Sequence, residues 1–143
     1  MLLYEMIKEL IDPKLPLVSN LSNASSILNK LDNINWCGFY LAEGDALYLG
    51  PFQGEVACTI IPFGKGVCGS AALKKETIIV PNVNEFPGHI ACSALSKSEI
   101  VTPIIKDGKC VGVIDIDSPI LNRFGNTEKE ELEKIAKLLE RIF

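Results

Sequence analysis

The feature that most constrains this chain is a pair of apolar runs, residues 99–105 (EIVTPII) and 110–117 (CVGVIDID), separated only by Lys106-Asp107-Gly108-Lys109. Alternation and β-branched residues mark both runs as strands, and so short an Asp-Gly connection folds them back as antiparallel neighbours. Residues 36–42 (WCGFYLA) and 46–50 (ALYLG), flanking Glu43-Gly44-Asp45, repeat the pattern. Two hairpins commit the middle of the chain to an antiparallel sheet. Residues 56–61 (VACTII) and 77–80 (TIIV) are expected to add a strand each.

The hydrophobic period changes at both ends of the chain. Leu2, Leu3, Met6, Ile7, Leu10 and Ile11 recur at helical spacing over residues 2–11, and Pro13 and Pro16 end that helix. Asn20 or Ser22 is placed to cap a second helix with Leu21, Ala24, Leu28 and Leu31 inward. Thr127 with Glu130 reads as a capping box before a last helix along Leu132, Ile135, Leu138, Leu139 and Ile142. A short helix, Val67 to about Leu73, should follow Gly64-Lys65-Gly66. The expected fold class is α+β: about six strands, mainly antiparallel, with the N- and C-terminal helices on one face. No repeat, low-complexity tract or linker divides it, so residues 1–143 are read as a single domain. Residues 81–97 form a long irregular segment, the kind of loop that binds or covers ligands.

Composition excludes several classes of function. Fourteen basic against 18 acidic residues give a net charge of −4 with no basic stripe, which argues against nucleic acid as a partner. No apolar run approaches the roughly eighteen residues of a membrane span. MLLYEMIKELID has no secretory pattern, so a cytoplasmic location is expected. Five cysteines, an odd number, argue against a structural disulfide framework; a disulfide in a reducing compartment would be transient and catalytic.

Cys58, Cys68 and Cys92, with the sole histidine, His89, fall within one quarter of the chain. If the loop makes a helical turn, His89 and Cys92 share a side, and an imidazolium would favour the thiolate; the alternative is a buried small hydrophobe beside a surface histidine. Cys68 opens the short helix, where the macrodipole would favour its thiolate, or it merely packs on the sheet. Cys58, read in a strand, matters only as a partner. Cys37 and Cys110 lie in apolar strand runs and read as core. There is no CxxC pair and no second histidine, so no zinc template appears and no metal or cofactor is expected.

Asp115 and Asp117 are two apart and point to one strand face with Val111 and Val113, opposite Gly112, Ile114 and Ile116. They are either a solvated strand end or, if buried, a crowded pair with at least one raised pKa. Glu99 opens the partner strand and can stand across from them. Trp36 and Tyr40 share a face, with Tyr48 on the paired strand: a packed sheet face, or a wall for an apolar or S-methyl group.

Taken in order, NWCGFYL, GEVACTIIPFGKGVCGSAA, IIVPNVNEFPGHIAC, SKSEIVTPI and GVIDIDS, from about Asn35 to Ser118, resemble the free methionine-(R)-sulfoxide reductases, single GAF-domain enzymes. The resemblance implies a GAF-like domain that reduces free methionine sulfoxide through a cysteine sulfenic acid and an intramolecular disulfide, which thioredoxin reduces. By motif position Cys92 is then the nucleophile, Cys58 the resolving thiol and Cys68 a third reactive cysteine. Glu99, Asp115 and Asp117 become the substrate-binding carboxylates, with Trp36 and Tyr40 on the pocket wall. A crowded neutral carboxyl suits protonation of a sulfoxide oxygen, and backbone amides near Gly66 to Gly69 or in residues 81–92 suit the substrate carboxylate. Ser93 departs from the family pattern, which has an aspartate there, and the short segment before Trp36 leaves a homodimer interface open. The rival readings are a non-catalytic GAF module that binds a small ligand and a thiol-based oxidant sensor.

Overall fold

The computed structural model describes residues 2–89 and 94–143. Helices α1 (Leu2–Leu10) and α2 (Leu17–Leu28) lead into strands β1 (Trp36–Glu43), β2 (Ala46–Gln53) and β3 (Ile60–Pro62). Helix α3 (Gly66–Lys74), strands β4 (Ile78–Val80), β5 (Ser98–Lys106) and β6 (Lys109–Ser118), and helix α4 (Asn126–Leu139) complete the chain. The strands form one sheet in the order β3-β2-β1-β6-β5-β4, antiparallel throughout. Both expected hairpins are present, and Asp107 (φ 52°) and Gly108 (φ 77°) supply the positive angles that the β5–β6 turn demands. The hairpins join through β1 and β6, which sets Trp36 opposite Asp117 and Gly38 opposite Asp115.

Each sheet face has its own core. Cys37, Phe39, Ile100, Ile104, Ile114 and Ile116 pack against α1, α2 and α4 through Leu3, Ile7, Leu21, Leu28, Leu132, Ile135 and Leu139. The terminal helices therefore share one face, as expected. Each of these aliphatic side chains contributes about 1.5–3 kcal/mol by leaving water. On the other face Trp36, Tyr40, Leu47, Val101 and Val113 lie under α3, which contributes Val67, Cys68, Ala71 and Ala72.

Several expectations are corrected. Helix α2 begins at Leu17, behind Pro16 (φ −55°), whose fixed backbone sets the helical entry without a side-chain cap. Ser22 lies inside the helix and donates to Val18 O. Asn20 is also inside it, buried, and its amide closes on both backbone groups of Asp12 (3.0 and 2.9 Å), fixing the α1–α2 connection. Helix α4 is capped two residues before the expected position: Gly125 N–H donates to Glu128 Oε1 at 2.7 Å, and Thr127 and Glu130 sit in the first turn and a half. Strand β3 is shorter than residues 56–61, because the carbonyls of Glu55 and Cys58 are taken by side chains of β1 instead of a ladder. Two register shifts turn side chains over. Opposite Ile104 and Ile105 stand Gly112 and Cys110, so Val111 is the extra residue and packs with the helix-side core, away from Val113. Tyr48 pairs with Leu41 and is 41% exposed, so it does not join Trp36 and Tyr40. Within 81–97 the described residues contain one 3₁₀ turn, Val83–Glu85.

Candidate active site

The site is built where α3 lies over the middle of the sheet. Gly69 lets α3 close on the end of the edge strand β3, since a Cβ there would stand 2.4 Å from Pro62 O. Helix α3 presents Gly66, Val67 and Cys68 to a pocket also lined by Trp36, Tyr40, His89, Ser96, Glu99, Asp115 and Asp117. The strand period delivers the acids: Asp115 and Asp117 share a face of β6, Glu99 of β5 is the register partner of Asp117, and Val101 that of Asp115.

These carboxyls are not a solvated edge. Glu99 is 6% and Asp115 5% exposed. All three are held well above the usual carboxyl range, first by burial, then by one another: Asp117 acts on Glu99, Glu99 on Asp115, and Asp115 on Asp117. The cluster therefore stores protons. Asp117 has the strongest support for a charge, because hydrogen bonds from Glu99 and Ser96 favour its anion. Ser96 Oγ in turn accepts from Asn35 Nδ2 at 3.2 Å. Asp115 Oδ1 and Asp117 Oδ1 are buried without a hydrogen-bond partner among the described residues, so the pocket holds acceptors awaiting a donor.

Of the two readings of Cys68, packing on the sheet holds and the favoured thiolate does not. The residue stands in the first turn of α3, yet its thiol is pushed well above its ordinary value, by burial first and then by Asp115 and Glu99. The nearby acids and lost solvation outweigh the helix terminus, worth only about 0.3–1 kcal/mol. His89 reaches the same pocket, its Nε2 3.6 Å from Glu99 Oε1. Burial lowers the imidazole pKa and raises that of Glu99, and both shifts work against an ion pair between them. Cys92 and Ser93, and with them the His89–Cys92 turn, lie outside the described residues.

The aromatic wall has a second task. Trp36 stacks on Tyr40 at 6.0 Å and on Phe52 at 5.2 Å. Both polar tips hold the segment between β2 and β3: Trp36 Nε1 donates to Glu55 O (3.0 Å) and Tyr40 OH to Cys58 O (3.1 Å). Cys58 therefore lies on an anchored loop rather than in a strand, and it is disulfide-bonded. Cys37, Cys68 and Cys110 are free thiols. Cys37 is core, as expected, with its pKa pushed up to about 12, chiefly by burial. Cys110 is only half-buried, its Sγ against Gly112 O at 3.3 Å.

Phe52, Ser96 and Asn35 were not legible as site residues. Phe52 reaches the Trp36 face only through the register shift in β2, opposite Gly38. Ser96 sits in an irregular stretch with no period to orient it.

The GAF domain family matches residues 19–142. The chain is 56% identical over 133 residues to the free methionine-R-sulfoxide reductase of Saccharomyces cerevisiae, covering 87% of this chain and 74% of that protein. It superposes on the reduced form of fRMsr of Staphylococcus aureus with TM-score 0.94 and 52% identity, over 99% of this chain and 94% of that one. The free methionine-R-sulfoxide reductase from Neisseria meningitidis, in complex with its substrate, gives TM-score 0.93 at 44% identity, covering 98% and 86%. On its fold and on these likenesses, the chain belongs to the GAF domain family and, within it, to the free methionine-R-sulfoxide reductases.

Proposed function

We propose that this protein reduces free L-methionine-(R)-sulfoxide to L-methionine. The observation that carries the reading is the buried trio Glu99, Asp115 and Asp117, with two unpartnered oxygens, lining one pocket with a thiol, Trp36 and Tyr40. A free amino acid supplies what such a pocket lacks. Its ammonium donates to the orphaned carboxyl oxygens, its S-methyl group rests on the indole and phenol, and its carboxylate faces the amides of Gly66 and Val67. A methionine within a protein chain has neither free charge.

In this scheme a protonated carboxyl of the trio hydrogen-bonds the sulfoxide oxygen and makes the sulfur a better electrophile. The thiolate of Cys92 attacks that sulfur. Oxygen passes to the cysteine, methionine leaves with its sulfur reduced by two electrons, and Cys92 becomes a sulfenic acid. The Cys58 thiol then displaces water to form a disulfide, which a dithiol reductant of the thioredoxin class returns to two thiols. Cys68, with its raised pKa, is a poor resting nucleophile and serves here as a pocket wall and reserve thiol.

The test supplies each sulfoxide epimer as free amino acid with a dithiol reductant. Loss of the R epimer alone, abolished in Cys92→Ser, supports the reductase. No loss of either epimer by folded, reduced protein would overturn it. A bound small ligand would then favour the non-catalytic GAF module, and an oxidant-driven disulfide the sensor.

A further inference from the structure

Cys68, Glu99 and Asp115 come from α3, β5 and β6, yet the thiol sulfur and one oxygen of each carboxyl lie within 4.8 Å of one another, all buried. Donors around one zinc ion, at about 2.3 Å for sulfur and 2.0–2.2 Å for oxygen, stand roughly 3.5 Å apart. The three donors must draw in toward the ion to close that difference. Independently, Asp115 is only 5% exposed, lines the pocket and has Oδ1 without a partner among the described residues, so the pocket wall carries a buried acceptor with no donor.

We propose that Cys68, Glu99 and Asp115 form a binding site for one thiophilic divalent cation, of which zinc is the type. One sulfur and two oxygens, with water or the neighbouring His89 imidazole as a fourth donor, match a four-coordinate zinc set. Magnesium and calcium require six or more oxygens and gain nothing from sulfur. A dication between the crowded acids supplies the positive charge that lets them ionise in spite of burial and of one another. Binding displaces the Cys68 thiol proton and the protons that Glu99 and Asp115 hold to solvent, leaving one thiolate and two carboxylates on the ion with no change in oxidation state. The ion occupies the space proposed above for the substrate's ammonium, so zinc excludes that substrate. This last consequence rests on the reductase reading; the site itself does not.

Cobalt(II) is the probe, added to the full chain with its disulfide formed, so that Cys68 is the pocket's free thiol and turnover plays no part. The expected result is one equivalent bound with a sulfur-to-metal charge-transfer absorption that zinc bleaches and magnesium does not. Cys68→Ser should lose the band. Glu99→Gln and Asp115→Asn should each weaken binding at least tenfold with unchanged far-ultraviolet circular dichroism, and they carry the test if Cys68→Ser does not fold. Absence of the band, its survival in Cys68→Ser, or equal competition by magnesium would each overturn the site. A failed epimer assay would leave it standing.

Discussion

Tyr40→Phe isolates one hydrogen bond in the anchored loop. The substitution removes the hydroxyl that donates to Cys58 O at 3.1 Å and keeps the ring that stacks on Trp36 at 6.0 Å. A typical intramolecular bond contributes about 1 kcal/mol, and an orphaned buried carbonyl costs about 1–3 kcal/mol. Cys58 is only half-buried, so water recovers part of that cost, and the expected loss is about 1–2 kcal/mol. For a chain of this size that lowers the thermal midpoint by roughly 3–8 °C. The melt is run with reductant, so that no disulfide masks the change. The same free energy should reappear in the chemistry, because ring closure needs Cys58 held where the phenol holds it. Dimedone trapping after one equivalent of methionine-(R)-sulfoxide, read by mass spectrometry, should show disulfide closure slowed about 5–30-fold while methionine is released at the wild-type rate. Equal closure rates in Tyr40→Phe and wild type would refute the anchoring argument. A loss above about 4 kcal/mol would show that the ring stack, and not the hydroxyl alone, had been disturbed.

Other consequences follow from the same geometry. Asp115 is neutral in the fold well above the roughly pH 4 at which it ionises unfolded, so folding takes up a proton and stability declines as pH rises through that interval. Asp115→Asn should flatten this decline in urea titrations across pH, while turnover falls by about 10²–10⁴-fold; a variant with the wild-type slope would remove Asp115 from the proton store. Gly69→Ala places a Cβ 2.4 Å from Pro62 O and should cost about 1–3 kcal/mol by urea midpoint, with weaker substrate binding as α3 lifts; an unchanged midpoint would contradict the close approach. With its pKa near 12, Cys37 is ionised in about one molecule in ten thousand at pH 8. Iodoacetamide mapped by peptide mass spectrometry should therefore reach half-exposed Cys110 long before Cys37, and native-state labelling of both at one rate would refute that burial.

Much of this architecture is written locally. The change of hydrophobic period places helices at the ends, and the Asp-Gly turn after Lys106 fixes β5 against β6. Period two alone puts Asp115 and Asp117 on one face, but a regular hairpin would set Glu99 opposite Ile116; the extra residue Val111 shifts the register and brings Glu99 opposite Asp117. What the local pattern misses are departures from regularity. One extra residue turns Val111 to the helix side, and a shift in β2 brings Phe52 rather than Tyr48 to Trp36. A bulge inverts a face without leaving a mark in alternation that can be told from ordinary variation. The ionisation of Cys68 is a tertiary property in a stronger sense. Its place at a helix start, read from the sequence, favours the thiolate; the structure reverses that, because pKa sums charges and lost water through space, and both come from strands distant in sequence. The cation site is decided the same way. No spacing of Cys68, Glu99 and Asp115 along the chain resembles a ligand template, and only the packing of α3 over β5 and β6 brings the three donors within reach of one ion.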